Sequence, residues 1–259
     1  MIRILGIVNV TPDSFWAGSR VNDEDQLLER VRRMLDEGAY AIDIGGCSTR
    51  PGSSPVSQQT EYERLQWCLD YLKNKFPDII ISVDTFRPDI ALHCVREWDV
   101  SIINDVSGGN PEMYRVVAET GTGYVLTFSE LSEDDPVACM STFFSERIKM
   151  MEEAGIDVDE KIILDPGFGF GKSLVENYKV LAGMDALKSF GLPVMAGVSR
   201  KSMAFKLLGI SPEQSVNATT VLNTLSLTKG ATWLRVHDVA EAVEAVKIFE
   251  MYNDNLVKL

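Results

Sequence analysis

Eight times along this chain a short β-branched run is followed by a longer amphipathic stretch, a rhythm that belongs to parallel sheets built from βα units. Candidate strands are Ile4 to Val8, Ala41 to Ile44, Ile79 to Val83, Ser101 to Asn104, Tyr124 to Thr127, Lys161 to Leu164, Pro193 to Ala196 and Trp233 to Val236. Their unbroken apolar character fits burial on both faces. Helical periodicity covers Asp25 to Glu37, Tyr62 to Phe76, Pro88 to Glu97, Pro111 to Glu119, Ser141 to Ala154, Ser173 to Phe190, Ser211 to Lys229 and Val239 to Tyr252. Spread over 259 residues, the repeat is about 32 residues, the length of one strand and its crossover helix. Eight such units with no linker between them predict closure into a single (β/α)8 barrel, residues 1–259 forming one α/β domain.

Composition removes several function classes. The formal net charge is −13, from 25 Lys and Arg against 38 Asp and Glu, so the overall field repels nucleic acid and anionic membrane surfaces. An anionic substrate must then be held by local cations. No run of about 18 apolar residues occurs, and the apolar start is too short for a signal sequence, so a cytoplasmic location is expected. The four cysteines, Cys47, Cys68, Cys94 and Cys139, lack CxxC pairing and read as reduced thiols.

In a barrel of this kind the residues after each strand decide function. Here they are Asn9 with Thr11 to Phe15; Asp43 with Gly45 to Gly52; Asp84-Thr85; Asn104-Asp105; Asp165 to Lys172; Ser199 to Ser202; and Arg235 to Asp238. Thr127-Phe128-Ser129, after the fifth strand, is the weak member. A lone Asp at a strand end is as easily a helix cap. Asp84, Asn104 and Asp165 together point into one mouth, where buried acceptors demand donors. An aminopyrimidinone edge, as in guanine or a pterin, supplies adjacent N–H and NH₂ groups. Arg200, Lys201, Arg235 and His237 gather after strands seven and eight, where barrels hold phosphate. The run Gly167 to Lys172 is not a dinucleotide fingerprint; its glycines allow a sharp turn that sets Phe168 or Phe170 against a flat ring. His93, inside a helical pattern, reads as structural.

These segments together resemble the dihydropteroate synthases over essentially the whole chain. The resemblance rests on Gly6 to Phe15, Asp43 to Gly46, Ser48 to Gly52, Ser82 to Thr85, Ile103 to Gly109, Asp165 to Lys172, Ser199 to Ser202 and Arg235 to Val239. It implies condensation of 6-hydroxymethyl-7,8-dihydropterin diphosphate with p-aminobenzoate, release of diphosphate, Mg²⁺ as cofactor, and a homodimer. It also implies that Asp84, Asn104, Asp165 and Lys201 hold the pterin, that Asn9 contacts Mg²⁺, and that Arg235 and His237 bind diphosphate. Thr49, Arg50, Pro51, Phe170 and Ser202 would shape the p-aminobenzoate site. Asp84, Lys201, Arg235 and His237 are then the expected catalytic groups. Two departures stand out: Thr127-Phe128-Ser129 replaces a frequent His-Met pair, with Phe128 expected to supply the lost apolar surface, and Cys47 stands where Glu is frequent. The alternatives are a pterin-binding paralogue without synthase activity and the similar methyltetrahydrofolate:corrinoid methyltransferases, which lack the Ser48 to Gly52 and Ser199 to Ser202 segments.

Overall fold

The structure, a computed structural model, describes residues 1–10, 20–47, 56–130 and 135–256. Eight parallel strands form one sheet: β1 (Arg3–Asn9), β2 (Ala41–Gly45), β3 (Ile81–Asp84), β4 (Ile102–Asp105), β5 (Gly123–Thr127), β6 (Ile162–Asp165), β7 (Met195–Ala196) and β8 (Trp233–Val236). Each neighbour pair is consecutive in sequence, and β1 also pairs with β8. Between β6 and β7 the ladder thins to a single parallel bridge, Leu164 to Val194, which completes the (β/α)8 ring.

Helices α1 (Arg20–Glu37), α2 (Gln58–Lys75), α3 (Pro88–Trp98), α4 (Pro111–Thr120), α5 (Pro136–Glu153), α6 (Val158–Lys161), α7 (Leu174–Gly183), α8 (Ser202–Leu208), α9 (Val216–Thr228) and α10 (Val239–Leu256) surround the ring. Three details differ from the periodicity. The pattern expected as one helix from Ser173 to Phe190 is α7 followed by a 3₁₀ segment, Met184–Phe190. At the junction the chain passes close to α5: a Cβ at Gly183 would lie 2.6 Å from the Val137 side chain. The expected Ser211 helix starts regularly only at Val216, and α8 and α6 are too short to have shown a period.

Strand alternation divides the ring into an outer and an inner face. Outward residues such as Val8, Ile42, Ile44, Val83, Ile103, Leu126 and Leu234 pack under the helices in the main core. Inward residues at the N-terminal ends, Leu5, Ala41, Ile102, Val125, Ile163, Met195 and Trp233, form a separate apolar cluster that plugs the barrel. Two residues further along the strands the inner face turns polar, with Asp43, Ser82, Asn104, Thr127 and Asp165 all buried. That change makes a mouth above a floor.

Candidate active site

The mouth is organised around Arg235. Its Nε donates to Asp43 Oδ2 at 2.6 Å and its Nη2 to Asp84 Oδ2 at 2.7 Å. Asp43 is fully buried and also accepts from Ser82 Oγ at 2.6 Å and Asn104 Nδ2 at 3.2 Å. Three strands are thereby tied to β8 through one carboxylate. Burial works against the charge of Arg235, but Asp43 and Asp84 hold it protonated. Burial pushes the Asp84 carboxyl up to about 7; Arg235 opposes this, while Asp43, Glu61 and Asp105 add to it.

Three mouth oxygens are buried with no partner among the described residues: Asp84 Oδ1, Asn104 Oδ1 and Thr127 Oγ1. An unmatched buried polar atom costs about 1–3 kcal/mol, so this row across β3, β4 and β5 asks for a ligand rich in N–H donors. Asp165 continues the row on β6, in register beside Thr127. Its Oδ1 accepts from Gly167 N at 2.8 Å, and burial raises its carboxyl above the ordinary range, with Lys201 lowering it in part. Lys201 donates to the Phe168 carbonyl and lies 4.8 Å from the centroid of the Phe170 ring. Burial lowers its ammonium to about 8 despite Asp165. Gly197 leaves the space these groups share: a Cβ there would be 3.7 Å from Lys201 Nζ and 3.9 Å from Asp165 Oδ2.

The cation cluster expected after β7 and β8 is more committed than its sequence suggests. Arg200 makes a two-pronged pair with Asp238, Nε to Oδ2 at 2.9 Å and Nη2 to Oδ1 at 2.6 Å, on a left-handed backbone with φ 53°. His237 is not a cation. Burial, aided by Arg235 and Arg30, lowers its imidazole to about 3, and Nδ1 lies 3.0 Å from Ser199 Oγ. Since that oxygen already accepts from His237 N at 3.2 Å, its hydroxyl proton is free to face Nδ1, an assignment that leaves the proton on Nε2. His237 thus offers a neutral N–H.

The remaining expected residues divide. Asn9 ends β1 on the inner face, with Oδ1 3.2 Å from where a Cβ of Gly45 would stand. Ser202 opens α8, for which Lys201 is the N-cap residue. Thr49, Arg50 and Pro51 lie outside the described residues. Phe128 does not provide a surface under a flat ligand: its ring packs outward on Phe143 at 5.3 Å and Phe144 at 6.5 Å, both on α5. Thr127 is the β5 residue that faces inward. Asp43, Ser199 and Thr127 carry more of the mouth than their sequence neighbourhoods suggest. Parity along each strand was the signal for Asp43, which shares the inner face with Arg235.

The chain matches the family model described as pterin binding enzyme over residues 5–237. It is 38% identical to the dihydropteroate synthase of Escherichia coli K12 over 258 residues, 96% of this chain and 90% of that protein. Among solved structures, a dihydropteroate synthase from Clostridium difficile, determined in the presence of pteroic acid, superposes with TM-score 0.92 at 34% identity, covering 97% of this chain and 96% of that one. The Xanthomonas albilineans dihydropteroate synthase in complex with 7,8-dihydropteroate gives TM-score 0.87 at 36% identity, with 97% and 94% covered. With the acceptor row, the glycine turn beside Asp165 and the strand-eight arginine all in place, the chain belongs to the dihydropteroate synthase family of pterin-binding enzymes.

Proposed function

We infer that this protein joins 6-hydroxymethyl-7,8-dihydropterin diphosphate to p-aminobenzoate, giving 7,8-dihydropteroate and diphosphate. The observation that carries the reading is the row of buried oxygens on Asp84, Asn104 and Thr127 that have no partner among the described residues, continued on β6 by Asp165 in register beside Thr127. A pterin presents N–H and NH₂ groups along one edge, and these match that row. Asp84, Asn104, Asp165 and Lys201 hold the ring. Phe170, over which Lys201 lies, is placed to flank it.

The reaction breaks the C–O bond to diphosphate, with the electron pair leaving on oxygen. The resulting pterin-methylene cation is delocalised over the ring and stabilised by Asp84 and Asp165. The arylamine nitrogen then donates its lone pair to form the C–N bond and loses a proton. The leaving diphosphate meets the Nη1 edge of Arg235, not used by Asp43 or Asp84, and the neutral Nε2–H of His237. Catalysis is therefore positional and electrostatic. Ser202 and Phe170, with Thr49, Arg50 and Pro51, are assigned to p-aminobenzoate.

Among the described residues no group of three His, Cys, Asp or Glu side chains could hold a metal. Asn9 offers one amide oxygen at the rim. Mg²⁺ keeps several waters and takes few protein oxygens when phosphates supply the rest, so this donor set fits an ion bound with the diphosphate, and Asn9 would hold it. Its chemistry there is to neutralise the leaving group's charge. A homodimer is supported by exposed apolar residues on packed neighbours: Leu207 and Leu208 on α8, Val221 and Leu225 on α9, and Ile248, Met251 and Tyr252 on α10. No helix among the described residues is long and apolar enough to cross a membrane.

Purified protein with Mg²⁺ and both substrates should release diphosphate and form dihydropteroate, with a sulfonamide competing against p-aminobenzoate. Tight pterin binding with no dihydropteroate formed would establish the binding-only paralogue instead.

A further inference from the structure

The segment 166–172 carries two of the contacts that aim groups into the mouth. Gly167 N orients Asp165 through its Oδ1, and the Phe168 carbonyl receives Lys201 Nζ. Asp165 and Lys201 therefore take their positions from the course of this segment. Its backbone is left-handed at Gly167, Gly169 and Gly171, with φ 68°, 87° and 62°. Glycine permits that path but does nothing to hold it. A Cβ on Gly167 would overlap the Phe128 carbonyl oxygen, so the segment runs hard against the end of β5.

Two side chains that do not enter the mouth hold the path. Lys172 Nζ donates to the carbonyls of Phe128 and Gly167, each at 2.9 Å, and of Phe170 at 3.5 Å. An ammonium has three donors, so none is left for a substrate. The same nitrogen lies 4.5 Å from the centroid of the Phe128 ring. Asn177 is buried in the first turns of α7. It accepts from Gly169 N at 2.7 Å and donates to the carbonyls of Lys172 at 3.0 Å and Ser173 at 2.8 Å.

We propose that Lys172 and Asn177 are positioning residues for the transfer: by fixing segment 166–172 they set Asp165 and Lys201 against the pterin. The proposal rests on the reading of the mouth as the pterin site. It bears unequally on the two substrates: of the described residues assigned to p-aminobenzoate the clamp reaches Phe170, and that through its backbone carbonyl at 3.5 Å, the longest of the three Lys172 contacts. It also gives β5 a role independent of its side chains, since Lys172 uses the Phe128 backbone carbonyl, which any residue at 128 supplies.

The test compares Lys172→Met, Lys172→Arg and Asn177→Asp with the parent enzyme. Asn177→Asp keeps the acceptor for Gly169 N and replaces two donors by an acceptor facing carbonyls; an acid in the first turn suits the helix start. Calorimetry should show pterin diphosphate binding weakened about tenfold or more in Lys172→Met and Asn177→Asp, as expected when reacting groups are displaced. The KM for p-aminobenzoate should stay within about twofold, and kcat should fall with pterin affinity. Lys172→Arg should recover part of the loss. Parent-like pterin affinity in the folded variants overturns the proposal, as does equal weakening of both substrates, the mark of a general loosening. Should Lys172→Met not fold, the same split in Asn177→Asp decides. If the parent itself makes no dihydropteroate, it is the assigned reaction that fails, and the calorimetric comparison still judges the clamp.

Discussion

The inner face of the barrel contains two layers that differ by a single two-residue step along each strand. Below lie Leu5, Ile102, Val125, Ile163, Met195 and Trp233. Above lie Asp43, Asn104, Thr127, Asp165 and Arg235. The lower layer removes apolar area from water, at about 25 cal/mol per Å². The upper one buries polar atoms, three of them unmatched among the described residues. Stability is gained at one end of a strand and given up at the other, so mutation should separate the two.

The largest expected effect is the exception to that division. Arg235→Ala leaves Asp43 and Asp84 buried without their cation, and breaking one side of a buried pair costs about 3–5 kcal/mol. Denaturant unfolding should report the loss, and pterin without phosphates should bind more weakly too, because Asp84 loses its anchor. A stable Arg235→Ala protein with full pterin affinity would confine Arg235 to the diphosphate. Next, Ile163→Ala in the floor should cost about 2–4 kcal/mol through lost transfer energy and a residual cavity. Calorimetry on the fraction that remains folded should give parental pterin affinity; a parallel drop in affinity would join floor and mouth into one unit.

Asp165→Asn reverses the pattern at a neighbouring level of the same strand. It keeps an oxygen for Gly167 N but points an amide donor at the pterin's N–H edge, and losing a charge-assisted hydrogen bond costs about 1.5–3 kcal/mol of binding. The melting temperature should hold or rise, since a buried carboxyl is removed. Weaker folding with unchanged affinity would place Asp165 with the floor.

The smallest effect is a pH dependence that only the mouth can show. With its imidazole held at about 3, His237 stays neutral in the folded state while the unfolded chain takes up a proton below about 6.5. The stability it contributes is therefore complete above that pH and declines as pH falls towards 3. Asp84, raised to about 7, acts in the opposite sense: the folded state holds its proton longer, so stability falls as pH rises from about 4 to 7. Asp105 and Asp165 are raised as well and add to that direction. Replacing His237 by Gln should remove only the acid-side loss, making the variant relatively more stable than the parent by about 1 kcal/mol at pH 5.5 compared with pH 7.5. Parallel profiles of melting against pH would mean that His237 titrates as an ordinary histidine.

Much of this was legible from residue order because strands in a barrel announce both their ends and their faces. Asp84 and Asp165 close their strands, Asn104 stands one residue short of the end of its own, and Trp233–Val236 matches to the residue. Asp84 and Asn104 in the acceptor row were legible for the same reason, since acceptors buried together require donors, whereas Thr127, on the strand with the weakest signal, was not. Pairing across the ring was less accessible. Arg235 and Asp43 are 192 positions apart, and only their shared parity links them. Charge state was the other gap: the depressed value of His237 comes from burial and from cations on α1 and β8, a surrounding that its own neighbours Val236 and Asp238 do not reveal. Phe128 departs from the expectation because alternation from the inward Val125 turns Thr127 to the mouth and Phe128 to the outer core.

The thin seam where β6 meets β7 gives the ligand a mechanical part. Elsewhere in the ring neighbouring strands are laced by two to five paired residues, but here Leu164 and Val194 form a single bridge. Asp165 stands on one bank of that gap; Gly197 and Lys201 follow on the other. A molecule gripped by both banks is a suture, closing by its own hydrogen bonds an edge that the backbone leaves partly open. Occupancy then slows the parting of the sheet at this point, and the amide protons flanking the seam should gain more protection from exchange than those opposite it on β2 and β3.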